Sequence, residues 1–105
     1  MIDLVDRDVH WEAEPVGTFW GRNGLLSFWR DWAGLWETYV YEVREVEDHG
    51  RCALTVAHVE ARGRDGIEVE VSTFQVWEVR DGKIVWQRTC LTREDAREAL
   101  AERCG

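Results

Sequence analysis

Proline is nearly absent from this chain, with Pro15 the single example, and no Pro/Gly/Ser-rich stretch, repeat or low-complexity tract interrupts it. Nothing marks a linker, and 105 residues suffice for one hydrophobic core but not for two ordinary domains. A single domain over residues 1–105 is expected. A basic leader, an apolar run of signal-peptide length and an apolar span of about twenty residues are also missing. Their absence speaks against a membrane protein and for a cytoplasmic one. Basic residues are too few for nucleic acid: thirteen Lys and Arg are scattered among twenty-one acids, for a net charge of −8, and phosphate binding needs a positive surface. Cysteines are scarce and odd in number, Cys52, Cys90 and Cys104. Without metal-ligand spacing they read as reduced thiols, with no metal site.

Aromatic residues are what the chain has in excess. Seven tryptophans in so short a sequence each bring a large apolar body and one N–H to satisfy, which implies a filled core, an aromatic-lined pocket or a partner surface. Val9 to Glu12 has room for a brief strand before Pro15 and Gly17 break regularity. From Asn23, placed as an N-cap, to about Trp36, the residues Leu25, Leu26, Phe28, Trp29, Trp32 and Leu35 recur at helical steps. They predict an amphipathic helix with an aromatic face. Period-two alternation from Thr38 to Glu47 predicts a strand, followed by strands over Arg51 to Arg62, Ile67 to Val79 and Ile84 to Leu91 in an antiparallel meander. Thr92, with Asp95 three residues on, starts a C-terminal helix that runs towards Arg103.

If Arg64 and Asp65 form a tight hairpin with Gly63 facing Gly66, then Leu54, Val56, His58 and Glu60 lie opposite Gln75, Thr73, Val71 and Val69. These residues and Trp77 share one face. The other face carries Thr55, Ala57, Val59, Ser72, Phe74 and Val76, too apolar in its middle to be left in water. A second copy is the expected cover, giving a homodimer through the outer sheet face; the alternative is that the C-terminal helix covers Phe74 and Val76 within one chain.

Five stretches carry a family resemblance: Asp8 to Trp11 (DVHW), Gly21 to Arg30 (GRNGLLSFWR), Gly66 to Glu70 (GIEVE), Phe74 to Val85 (FQVWEVRDGKIV) and Leu91 to Leu100 (LTREDAREAL). Together they resemble a SnoaL-like protein of the nuclear-transport-factor-two-like superfamily, whose relatives include polyketide cyclases and ketosteroid isomerase. The resemblance implies an α+β fold in which a curved antiparallel sheet, a cone-like α+β barrel, has helices covering its concave face and encloses a pocket. Family members usually carry further helix ahead of the first strand. The pocket is therefore expected to be open on one side.

The resemblance also implies roles. Gln75 falls where ketosteroid isomerase places a protonated aspartate, so its carboxamide is a candidate oxyanion partner. Glu14, just before Pro15, resembles the position of that enzyme's catalytic aspartate, with Glu12 as an alternative register. His58, inward by the hairpin pairing, is a further candidate general base. Phe28, Trp29, Trp32 and Trp77 are candidate walls stacking on a flat ligand, with Val56 and Thr73 beside them. On the last strand the resemblance turns Gln87, Thr89 and Leu91 inward, whereas simple hairpin pairing turns Trp86, Arg88 and Cys90 inward. A bulge after Ile84 reconciles the two. The functional expectation is a cofactor-independent, metal-free isomerase or cyclase acting by proton transfer on a carbonyl-containing or polycyclic substrate. The alternative is a noncatalytic homodimer that binds a small apolar molecule.

Overall fold

The computed structural model describes residues 4–13 and 16–104. Its elements are β1 (Val5–Ala13), β2 (Gly17–Trp20), α1 (Gly21–Gly34), β3 (Trp36–His49), β4 (Cys52–Gly63), β5 (Glu68–Arg80), β6 (Lys83–Cys90) and α2 (Arg93–Cys104). The fold is α+β, built on one curved, unclosed sheet ordered β2-β1-β6-β5-β4-β3. Strands β3 to β6 form the antiparallel meander that the alternation predicts. Strand β1 is longer than expected and runs parallel beside β6, with Trp11 next to Gln87 and Ala13 next to Thr89.

Helix α1 begins ahead of Asn23. Gly21 takes a φ of +72°, which only glycine adopts without strain, and turns the chain from β2 straight into the helix with Trp20 as N-cap. Leu25 is fully buried and anchors α1 on Val5, Val9, Trp11 and Ala13 of β1. Helix α2 starts where expected: the Asp95 backbone N–H donates to Thr92 Oγ1 at 3.1 Å. It packs on the opposite face of the sheet. Ala96, Ala99 and Leu100 cover a cluster that includes Leu54, Val56, Val76 and Trp86, and each large side chain buried there contributes about 1.5–3 kcal/mol. The small alanines let the helix lie close, and Arg93–Glu45, Arg97–Glu47 and Arg103–Glu78 ion pairs fringe the contact. Val76 is fully buried and Phe74 half-buried beneath α2. The cover for these two residues thus comes from the same chain.

Two sequence expectations are corrected. Cys52 and Cys104 are joined in a disulfide, with Cα atoms 6.3 Å apart, rather than standing as reduced thiols. Fifty-two residues separate them, so only the docking of α2 brings them together. The second correction concerns the β4–β5 register. Thr55 faces Gln75, Ala57 faces Thr73 and Val59 faces Val71, one residue away from the expected pairing. A two-residue type I′ loop needs positive φ at both central positions, and neither Arg64 nor Asp65 adopts it. The chain instead adds Gly66, at φ +90°, to make a three-residue loop closed by Gly63 N–H donating to the Ile67 carbonyl at 2.8 Å. The next hairpin obeys the two-residue rule, with Asp81 and Gly82 at φ +51° and +76° between the paired Arg80 and Lys83.

A one-residue slip turns every side chain of one strand to the other face. Val56 and His58 therefore point away from the face they were expected to share with Gln75.

Candidate functional site

Between α1 and the sheet lies a cavity of about 490 Å³. Helical spacing places Phe28, Trp29 and Trp32 along it, one turn beyond the anchored Leu25, and β1 adds Trp11 and Ala13. The aromatic rings brace one another: Trp11 meets Trp29 and Trp77 edge to face, both with ring centroids 5.7 Å apart, and Trp32 meets Trp36 edge to face at 5.4 Å. Such pairs are stabilising beyond their buried area and hold the walls in place. Tyr39 and Tyr41 of β3, Val59 and Ala61 of β4, and Val69 and Val71 of β5 continue the apolar surface. Tyr39, Tyr41, Val69 and Val71 remain partly exposed, so the cavity opens to solvent on that side.

A short polar band interrupts the apolar lining. It is made by Thr73 and Gln75 of β5 with Gln87 and Thr89 of β6. Gln75 is 2% exposed and both ends of its carboxamide are engaged: Oε1 accepts from Thr55 Oγ1 at 2.8 Å, and Nε2 donates to Thr73 Oγ1 at 2.6 Å. Thr55 Oγ1 in turn accepts from the Trp77 indole N–H at 2.9 Å. Gln87 is engaged at one end only. Its Nε2 donates to Thr89 Oγ1 at 2.7 Å, while Oε1 is buried without a partner. The inward turn of Gln87, Thr89 and Leu91 comes from a bulge at Val85: Val79 pairs with Ile84, but Glu78 pairs with Trp86.

Among the described residues, no Asp, Glu, His, Lys, Arg or Cys lines the cavity. Burial, with Tyr39 adding to it, pushes the Tyr41 phenol up to about 12. The carboxylate nearest in sequence on β1, Glu12, faces away from the cavity and bonds Arg88. Burial raises its pKa, but the hydrogen bond and charge of Arg88 outweigh that and hold the carboxyl below its usual range.

Phe28, Trp29, Trp32, Thr73, Gln75, Trp77, Gln87 and Thr89 thus all reach the cavity. His58 and Val56 do not. His58 lies on the opposite face, with Nε2 at 3.3 Å from Glu60 and 3.2 Å from Glu70, and Val56 is buried under α2. Both misplacements follow from the added loop residue at Gly66. The alternative reading of Glu12 as an inward acid fails because Trp11 and Ala13 take that face of β1. Glu14 lies outside the described residues. Sequence reasoning passed over Trp11, Trp36, Tyr39, Tyr41, Val59 and Ala61. The alternation of Tyr39 and Tyr41 was a signal for two of them, and the correct hairpin length would have brought Val59 and Ala61 to the same face.

Comparison with known proteins agrees with this geometry. A family model described as a SnoaL-like domain matches residues 1–87. No curated protein matches the sequence. Among solved structures, TerC co-crystallised with polyporic acid aligns with a TM-score of 0.77 at 18% identity, over 95% of this chain and 82% of that one. A protein from Catenulispora acidiphila with a ketosteroid isomerase-like fold, in complex with trimethylamine, aligns with a TM-score of 0.80 at 13% identity, over 88% of this chain and 72% of that one. A putative SnoaL-like polyketide cyclase from Jannaschia sp. CCS1 aligns with a TM-score of 0.77 at 12% identity, over 94% and 74%. At these identities the likeness is one of fold.

Proposed function

The chain belongs to the SnoaL-like domain family, and we propose that it binds a small, flat, largely apolar molecule in the cavity between α1 and the sheet. The observation that carries this reading is the lining itself: about 490 Å³ walled by aromatic and aliphatic side chains, with one uncharged polar band. Such a surface rewards burial of apolar area and orients a ligand through few polar contacts. TerC with polyporic acid and the C. acidiphila protein with trimethylamine are precedents for small molecules bound by this fold. The test is a panel of polycyclic ligands titrated against tryptophan fluorescence. Saturable quenching that is lost in Trp29→Ala supports the reading, and no saturable quenching by any of them refutes it.

Isomerase or cyclase chemistry by proton transfer is the second reading. Gln75 supports it, since its Nε2 has a second N–H beyond the one given to Thr73, available to a carbonyl or enolate oxygen. The base in this reading is Glu14, adjacent to the lining residue Ala13. His58 is not carried into this reading, because its side chain lies on the other face of the sheet beside Glu60 and Glu70. Turnover of a ketone substrate that is abolished by Glu14→Gln and by Gln75→Leu, with binding retained, supports catalysis; turnover indifferent to both removes it.

A homodimer remains part of the proposal, but on a different surface from the one the sequence suggested. With Phe74 and Val76 under α2, one exposed apolar surface that suits a second copy is the strip of Tyr39, Tyr41, Val43 and Val46 on β3. Sedimentation equilibrium at micromolar concentration decides the matter. Among the described residues no helix is long and apolar enough to cross a membrane. A cytoplasmic location is kept as an expectation, although the Cys52–Cys104 disulfide removes the support that reduced thiols gave it.

A further inference from the structure

Gln75 and Gln87 are both almost wholly buried in the polar band of the cavity, at 2% and 1% exposure, yet they are not equivalent. The carboxamide of Gln75 is held at both ends by Thr55 and Thr73. That of Gln87 is held at one end, by Thr89, and its Oε1 has no partner. Turning the Gln87 amide over does not cure this. Oε1 would then accept from the Thr89 hydroxyl, and Nε2 would be the end without a partner. A buried amide end left unsatisfied is costly, and a site that contains one discriminates sharply for a ligand that completes it.

From this asymmetry, resting on the binding reading above, we infer that the ligand is a neutral hydroxylated aromatic or polycyclic molecule whose hydroxyl bonds the open end of the Gln87 carboxamide. A hydroxyl donates to Oε1, the end of the amide that the structure leaves open. Neutrality follows from the lining. No cationic side chain among the described lining residues faces the cavity, an unpaired carboxylate in apolar surroundings is strongly penalised, and the chain's net charge of −8 repels anions as they approach.

Four probes test this by equilibrium dialysis against the full chain at pH 7: 2-naphthol, 2-methoxynaphthalene, naphthalene and 2-naphthoate. 2-Methoxynaphthalene keeps the ring and the oxygen but cannot donate, and it is expected to bind about tenfold more weakly than 2-naphthol. 2-Naphthoate is expected to bind at least about tenfold more weakly than 2-naphthol, because its charge finds no partner. In Gln87→Met the 2-naphthol affinity should fall about tenfold while that of naphthalene stays within about twofold. Equal binding of 2-naphthol and 2-methoxynaphthalene by the native chain overturns the hydroxyl assignment, even if Gln87→Met fails to fold. A loss in Gln87→Met shared by naphthalene overturns the role of the carboxamide. Naphthoate binding as tightly as naphthol overturns neutrality. Tighter binding of tetramethylammonium than of 2-naphthol replaces the proposal with a cation held by the aromatic walls. In each of these cases a ligand still binds and the general binding reading survives. If no probe binds at its solubility limit, both readings fall together.

Discussion

Replacing Thr55 by valine removes one hydroxyl while keeping the side chain's shape, and two hydrogen bonds go with it. Gln75 Oε1 loses its donor at 2.8 Å, and the Trp77 indole N–H loses its acceptor at 2.9 Å. Gln75 is 2% exposed, and leaving a group so buried without its donor costs about 1–3 kcal/mol. Trp77 is only half-buried, and its share is smaller, about 1 kcal/mol. The expected loss for Thr55→Val is therefore about 2–4 kcal/mol, a large part of the 5–15 kcal/mol typical of a domain, and a fall in Tm on the order of 10–20 °C. Urea unfolding followed by tryptophan fluorescence measures it. Thr55→Ser retains the hydroxyl and should lose about 1 kcal/mol. The double variant Thr55→Val with Gln75→Met removes both partners of the first bond and should be more stable than the sum of the two single losses predicts. A loss below about 0.5 kcal/mol in Thr55→Val would refute the reasoning, because the Thr55–Gln75–Thr73 chain could not then be holding the cavity floor.

Further outcomes follow from the same geometry. His58→Ala should leave polycyclic ligand affinity within about twofold by fluorescence titration, since a side chain across the sheet makes no ligand contact; a larger loss would restore the inward placement of His58. Gly66→Ala should cost about 1–2 kcal/mol in urea unfolding. No atom lies within 4 Å of the added methyl, so the cost is one of backbone conformation alone, and an unchanged midpoint would contradict the three-residue loop. Titration of unreduced, unfolded protein with a thiol reagent should count Cys90 alone, rising to all three cysteines after reduction; three at the outset would deny the disulfide. Glu12→Gln should lower stability at pH 7 by about 1–2 kcal/mol, and the difference from the native chain should vanish in acid. Because folding depresses the Glu12 carboxyl, its contribution is present above the unfolded pKa and disappears as pH falls through the folded one, below about 4.5. A difference that persists at pH 2 would show that the loss does not come from the Glu12–Arg88 charge pair.

Both helices and strands β3 to β6 were legible in the sequence because their causes are local, whereas β2 was not foreseen. Apolar residues at helical steps placed the aromatic face of α1, alternation placed β3 to β6, and Thr92 with Asp95 marked the start of α2. The cavity-facing residues of β5 and β6 were legible too, although those of β6 needed the family resemblance to locate the bulge at Val85. What the sequence could not convey was register and docking. One glycine more or less in the loop at Gly66 decides whether His58 or Val59 faces the cavity, since strand periodicity is two and the pattern of β4 is apolar on both faces. Sequence alone thus determined most of the helix and strand segments, though not β2 or the full length of β1, and that they build an aromatic-rich α+β fold. Only the tertiary structure decided that α2 covers Val76, that Cys52 meets Cys104, and that Gln87 keeps one end of its carboxamide open. Each of these depends on which distant surfaces come to lie against each other, and a short-range pattern carries no record of that.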